Sequence, residues 1–246
     1  MDIDSCPEAA AIIPAAGRGR RMGRQGNKLF LLLGEIPIIA RTLRVFETCG
    51  AITSVIVPAA REDKADLRRI ADGCGLTKVV VTDGGADRQA SVRGALRALT
   101  SADPAARRVV VHDGARPLLT ASALSAFLAA SRGLPAAVAA LPVKDTIKEA
   151  DGSDWVKSTL PRPALRAVQT PQVFERELLT AAHESAHEQG YRGTDDASLV
   201  EWHGGRVRLL AGWEENIKIT TETDLLFAEI LLKKREGAAR EGRHGF

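Results

Sequence analysis

The sequence predicts a three-layer α/β fold built on a mostly parallel sheet, and two observations carry that expectation. Short apolar runs alternate with longer stretches of helical period, and several of those runs are apolar throughout, as strands covered on both faces must be. The runs are AAII (10 to 13), TSVIV (53 to 57), KVVV (78 to 81), RRVVVH (107 to 112), AAVAAL (136 to 141), RAVQ (166 to 169) and RVRLLAG (206 to 212). Strand, helix and strand repeated in this way give a sheet with helices on both faces.

The intervening segments justify the helices in turn. IARTLRVFETCG, EDKADLRRIADGCG, RQASVRGALRALTS, TASALSAFLAASRG and FERELLTAAHESAHEQG mostly space their apolar residues three and four apart, and several close on glycine. In the last of them Phe174, Leu178, Ala182 and Ser185 set the expected inward stripe, which turns His183 and His187 towards water. One segment breaks the rhythm: VKDTIKEADGSDWVKSTLPR, 143 to 162, has two alternating runs around Asp-Gly and reads as a β-hairpin. A long polar hairpin, an arm over about 142 to 165, has little to bury by itself, so it predicts a subunit contact. The final KKREGAAREGRHGF is polar and glycine-rich, and a frayed tail is expected over 236–246.

At 246 residues the chain is expected to form a single domain with that one elaboration. Lys plus Arg number 34 against 31 Asp plus Glu, so the net charge of +3 does not suggest a protein that coats nucleic acid. Three cysteines without Cys-x-x-Cys spacing give neither a disulfide framework nor a zinc knuckle. With an acidic N-terminus and no apolar run near the ~18 residues of a membrane span, a soluble cytoplasmic protein is expected, with no membrane or nucleic-acid partner.

Chemistry concentrates where strands give way to helices. PAAGRGRRMGRQGNK, residues 14 to 28, holds four glycines, four arginines and a lysine just after the first strand. It fails the dinucleotide fingerprint, because Met22 stands where a third glycine belongs, and it lacks the Gly-Lys-Ser/Thr of a P-loop. What remains is a glycine-rich turn whose N–H groups can face an anion, with Arg21 and Lys28 as a cationic clamp; a solvated basic loop is the bland alternative. HDGARP, 112 to 117, sets Asp113 and Arg116 after another strand, where Asp113 orients a hydroxyl or helps hold a metal, or the segment is merely a turn with an ion pair. GGADRQASV, 84 to 92, is a further strand-to-helix turn with Ser91 in the first helical turn, and NIKIT, 216 to 220, presents Lys218. Finally, His183, Glu184 and His187 form a literal His-Glu-x-x-His, the spacing of a zinc hydrolase, although both imidazoles are expected on an exposed face without a third ligand.

Taken in order, PAAGxGxRM, GGxxRxxSV, HDGARP, VKDTIK, an Arg, QTPQVF, TDDASLVE and NIKIT, spanning residues 12 to 220, resemble the 2-C-methyl-D-erythritol 4-phosphate cytidylyltransferase family. The resemblance implies a Rossmann-like nucleotidyltransferase sheet, transfer of CMP from CTP to methylerythritol phosphate with release of pyrophosphate, and a homodimer joined by the hairpin arm. It also implies Mg²⁺, held mainly by the CTP phosphates rather than by protein ligands. Ala15, Ala16, Gly17, Gly19, Gly85 and Ser91 match the nucleotide-binding positions, with Asp113 beside them. Arg21 and Lys28 match contacts to the triphosphate. Asp113, Thr146, Arg162, Thr170, Thr194 and Lys218 fall where the family binds its acceptor, with Thr146 and Arg162 reaching in from the partner's arm. Of these, Arg21, Lys28, Arg162 and Lys218 are the expected catalytic cations.

The chain departs from the family's common Pro-Lys-Gln at Asn27-Lys28-Leu29, which predicts a looser loop around Lys28. Three other functions are compatible with parts of the pattern: cytidylyl transfer to ribitol 5-phosphate or another polyol phosphate, zinc hydrolysis, and non-catalytic nucleotide binding.

Overall fold

The computed structural model describes residues 9–17 and 27–241. The strands are β1 (Ala9–Ile12), β2 (Leu32–Leu33), β3 (Ile36–Pro37), β4 (Ile52–Ala59), β5 (Val79–Asp83), β6 (Arg108–Val111), β7 (Ala136–Pro142), β8 (Lys148–Ala150), β9 (Val156–Thr159), β10 (Arg166–Glu175) and β11 (Arg208–Ala211). The helices are α1 (Ile38–Thr48), α2 (Lys64–Gly73), α3 (Arg88–Ala102), α4 (Ala121–Ala130), α5 (Arg176–Glu188), α6 (Asp196–Trp202) and α7 (Glu222–Glu241). Each of the seven expected runs contributes to a single seven-stranded sheet of order β11-β7-β10-β6-β1-β4-β5. All neighbouring pairs are parallel except those of β10, which runs antiparallel to both β6 and β7.

Strand alternation divides the core into two layers. Ala9 and Ala11 of β1, with Val55, Val57 and Val110, face α1, α2, α4 and α7, and pack on Ile39, Leu43, Phe46, Leu67 and Phe127. Ala10 and Ile12, with Ile56, Val109 and Val111, face α3, α5 and α6 through Val92, Leu96, Leu99, Leu179 and Val200. A run that is apolar at every position is what a sheet buried on both faces demands.

The structure corrects three expectations. RAVQ is only the start of β10, which continues through Pro171 to Glu175 across an irregularity between Val168 and Gln172, at the cis Thr170–Pro171 peptide. A proline argues against a central strand, and here the ladder is interrupted just where it falls. The stripe of α5 is shifted by one residue: Leu179, Ala182, His183 and Ala186 are buried, so His183 points inward and only His187 is exposed. Phe174, the first residue of the expected stripe, belongs to a strand, and the helix starts two residues later. Residues 236–241, expected as frayed tail, continue α7, which Arg235 ties down through Glu215 and the Leu118 carbonyl. Residues 242–246 lie outside the described residues. TDDASLVE, quoted above only as part of the family pattern, contains a helix of its own, α6, with a capping box in which Asp195 and Ser198 satisfy each other's backbone N–H groups.

The expected hairpin is present as β8 and β9, paired antiparallel, with Asp151 accepting hydrogen bonds from the Ser153 and Trp155 N–H groups at the turn. Ile147, Trp155 and Val156 are exposed on this arm.

Candidate active site

A cleft of about 1000 Å³ opens beyond the carboxyl ends of β1, β4, β5 and β6, where ligands of parallel sheets bind. Its first wall is the chain leaving β1. There the Ile13 and Ala15 N–H groups still bond to Ile56 and Pro58 of β4, and Ala16 and Gly17 then face the cleft. The second wall is the turn into α3. A Cβ on Gly84 would lie 2.5 Å from that of Ala16 and one on Gly85 2.5 Å from that of Ala90, so both positions require glycine. Asp87 caps α3 through the Ala90 N–H, while the Ser91 hydroxyl accepts from the Gly85 N–H at 2.9 Å and donates to the Asp87 carbonyl at 2.7 Å. Ser91 therefore shapes the turn as well as lining the cleft.

The floor is the HDGARP loop, and segment 216–220 is laced to it. Arg116 donates to the Asn216 carbonyl at 2.7 Å, the Ile219 N–H to the Ala115 carbonyl, and Asn216 to the Thr170 carbonyl. Thr170 in turn accepts from the Asp113 N–H at 3.0 Å. These links bring Lys218 to 2.9 Å from the Asp113 carboxylate, with Arg116 at 3.5 Å and Arg88 at 3.7 Å. Burial alone would raise the Asp113 pKa; Lys218, Arg88 and Arg116 outweigh it and hold the group at about 2. Neighbouring His112 is fully buried against Phe46, and desolvation lowers it to about 4, so it is neutral at physiological pH.

Lys28 also lines the cleft, and its ammonium donates to the Ile219 carbonyl at 2.8 Å, one residue from Lys218. Asn27, beside it, is buried and donates to the Ala15 carbonyl and to Asp63 while accepting from the Leu29 N–H. Leu29 packs under the Gly114 turn, close enough that a Cβ on Gly114 would meet its side chain at 3.2 Å. At Lys28 itself, side-chain hydrogen bonds of Asn27 and packing of Leu29 stand where the family commonly has proline and glutamine; the loop before Asn27 lies outside the described residues.

Arg88, the fixed arginine of GGxxRxxSV, is a cleft residue to which the sequence alone attaches no role. Its guanidinium pairs at 2.7 Å with the fully buried Asp196, whose other oxygen meets His183 at 3.0 Å. The signal is split between GGADRQASV and TDDASLVE, and only the fold pairs them.

Of the expected nucleotide positions, Ala16, Gly17, Gly85, Ser91 and Asp113 line the cleft. Ala15 lies just behind its wall, with both backbone groups engaged internally. Gly19 and Arg21 lie outside the described residues. Asp113, Thr170 and Lys218 come together, while Thr194 is exposed in the loop before α6. Thr146 and Arg162 are exposed on the arm, where Arg162 donates to the Lys144 carbonyl. The His-Glu-x-x-His residues diverge: His183 is committed to Asp196, Glu184 accepts from Arg93 and Arg97, and His187 is exposed. Among the described residues no group of three or more His, Cys, Asp or Glu side chains is placed to hold a metal.

The family model IspD: 2-C-methyl-D-erythritol 4-phosphate cytidylyltransferase matches residues 9–234. The chain belongs to the IspD family. The match embraces every wall of the cleft and the whole arm. A Bacillus cytotoxicus 2-C-methyl-D-erythritol 4-phosphate cytidylyltransferase is 46% identical over 222 residues, which is 90% of this chain and 96% of that one. Its counterpart from Pelotomaculum thermopropionicum is 42% identical over 236 residues, 95% and 98% of the two chains. Among solved structures, the 2-C-methyl-D-erythritol 4-phosphate cytidylyltransferase of Thermus thermophilus is similar with a TM-score of 0.76 at 35% identity, covering 92% of this chain and 99% of that one. The 4-diphosphocytidyl-2C-methyl-D-erythritol synthase of Anaerococcus prevotii aligns with a TM-score of 0.81 at 29% identity, covering 93% and 97%.

Proposed function

We propose that this protein transfers CMP from CTP to 2-C-methyl-D-erythritol 4-phosphate, forming 4-diphosphocytidyl-2-C-methyl-D-erythritol and pyrophosphate for isoprenoid biosynthesis by the non-mevalonate route. Family membership supports it, and one structural observation carries the chemistry: Lys28, whose ammonium donates to the Ile219 carbonyl, and Lys218, 190 positions away in sequence and paired with Asp113, line the same glycine-walled cleft. An oxygen of the acceptor phosphate attacks the α-phosphorus of CTP, and the bond to pyrophosphate breaks. Two anions must be held together against their repulsion, so fixed cations on both sides are the main requirement. The acceptor phosphate is already ionised, and no general base is needed.

In this reading Lys28 and Arg21 offset charge growing on the α-phosphoryl and pyrophosphate groups. Lys218, with Arg162 from a partner's arm, holds the acceptor phosphate. Asp113 and Thr170 receive the polyol end, and Thr146 and Thr194 complete its surroundings. Gly17, Gly85 and Ser91 admit the nucleotide close to the backbone, with Ala15 and Gly19 completing that loop. Mg²⁺ enters as part of the substrate, bound to the CTP phosphates: Asp113 already faces three cations, which suits it poorly to a metal.

A homodimer joined through the arm accords with the exposed Ile147, Trp155 and Val156 and with the position of Arg162 on the arm. Among the described residues no helix is long and apolar enough to cross a membrane, and we assign the enzyme to the cytoplasm. The test is acceptor-dependent pyrophosphate release with CTP, UTP and ATP, each against methylerythritol phosphate and ribitol 5-phosphate. Release with CTP and methylerythritol phosphate is expected to exceed every other pairing by at least about a hundredfold. Equal use of ribitol 5-phosphate would overturn the acceptor, and no release would overturn the reaction.

A further inference from the structure

Asn27 has almost no exposed surface, and both of its amide protons are in use. Its Nδ2 donates to the Ala15 carbonyl at 2.8 Å and to Asp63 Oδ2 at 2.9 Å, while its Oδ1 accepts from the Leu29 N–H at 3.1 Å. The three partners belong to three different walls. Ala15 lies between Pro14 and Ala16, which line the cleft after β1; Asp63 follows Arg61 and Glu62, which line it after β4; Leu29 and Lys28 line it themselves. One buried amide therefore ties two strand ends and the turn that carries Lys28. A lysine reaches its target through four methylenes and about 2 kcal/mol of rotamer entropy, so its charge is preorganised only where its backbone is fixed.

We propose that Asn27 is a positioning residue for the triphosphate site, acting through Lys28 and the Ala15 and Asp63 walls on affinity for the nucleotide and on its turnover. The inference rests on the cytidylyltransfer reading and adds to it a residue that touches no substrate. Asp63 is the second half of the device, because it supplies the charged acceptor for one of the two amide protons.

The test uses full-length Asn27→Asp, a near-isosteric change that keeps the acceptor for Leu29 but puts an oxygen in place of the Nδ2 that donates to the Ala15 carbonyl and the Asp63 carboxylate. In the folded variant kcat/KM for CTP is expected to fall about tenfold to a hundredfold, as for loss of buried hydrogen bonds, with KM for methylerythritol phosphate changed less than about threefold. Adding Asp63→Asn reverses donor and acceptor and is expected to recover at least about threefold of that loss. Calorimetric titration with CTP alone is expected to rank the variants in the same order. A folded Asn27→Asp enzyme whose kcat/KM and Kd for CTP lie within about twofold of the parent overturns the proposal, as does a loss shared equally by both substrates that Asp63→Asn does not relieve. Should Asn27→Asp fail to fold, Asp63→Ala carries the test: a drop of about threefold in kcat/KM for CTP supports the proposal and an unchanged value overturns it. A parent enzyme inactive with CTP and methylerythritol phosphate would overturn the assigned reaction instead.

Discussion

Around Asp113 three cations, Lys218, Arg116 and Arg88, converge on one carboxylate, while Asp196 and Asp195 act on Arg88 from behind, so Arg88 is largely neutralised and Lys218 is the member of the cluster with the most exposed charge. A lysine in that place suits an acceptor phosphate, and Lys28, on the carbonyl of the next residue, adds a second positive charge to the same cleft. Lys28→Ala is expected to lower kcat about a hundredfold or more, as loss of a fixed charge at a developing anion does, with the thermal midpoint little changed. Steady-state kinetics beside a melting curve checks both halves. Gly85→Ala is expected to do the opposite kind of damage, since its new methyl group would strike Ala90 and the Ser91 N–H at under 3 Å. The α3 turn must shift, at a cost of about 1–3 kcal/mol in stability with weaker CTP binding, measurable by denaturant unfolding and calorimetry. His112 sets a pH signature. Its folded pKa of about 4 lies below the 6.5 of the unfolded chain, so the unfolded state binds the extra proton between those values and stability is lost as pH falls through that window. His112→Gln is expected to flatten the dependence there by up to about 1.4 kcal/mol per pH unit, read from unfolding curves at pH 6.5, 5.5 and 4.5.

At the scale of elements, the strand runs are legible because a sheet covered on both faces leaves continuous apolar sequence, as at 109–111 of β6 and 136–141 of β7. The carboxyl-end loops are legible for a related reason: glycine is compulsory where backbone walls approach closely, as at Gly84 and Gly85. What sequence cannot deliver depends on distance along the chain. A helical period counted from the strand residue Phe174 turns His183 to solvent, and its true partner Asp196 lies in a helix hidden inside a polar motif. The salt bridge from Arg88 to Asp196 joins residues 108 positions apart, and nothing local encodes it. Asn27 reads locally as a weak substitute for proline because its value lies in Ala15 and Asp63, twelve and thirty-six positions away. Likewise the polarity of the last segment suggests fraying, whereas α7 is held by a charge on its inner side. Arg235→Ala removes the bonds to Glu215 and the Leu118 carbonyl and is expected to cost about 1 kcal/mol, seen as a lower midpoint in denaturant, with activity retained.

At the scale of the whole molecule, one chain carries Lys28, Lys218 and Asp113 in its cleft but holds Arg162 and Thr146 out on an exposed arm. In the proposed homodimer a second chain presents Arg162, and a two-fold arrangement does so twice over, each arm serving the other's cleft. Arg162→Ala and Lys28→Ala are each expected to be nearly inactive alone. Unfolded together and refolded as a mixture, they form mixed dimers in which one cleft has both its own Lys28 and an intact Arg162 from the neighbour, while the other cleft has neither. Random pairing makes half of the dimers mixed, and each has one working site of two, so the mixture is expected to recover about a quarter of the parental activity. The same mixture at concentrations low enough to dissociate the dimer is expected to lose that recovered activity, with sedimentation reporting the monomer. Recovery that is absent at concentrations where mixed dimers are demonstrably present would mean that Arg162 serves its own cleft, and the arm would then be a structural contact only.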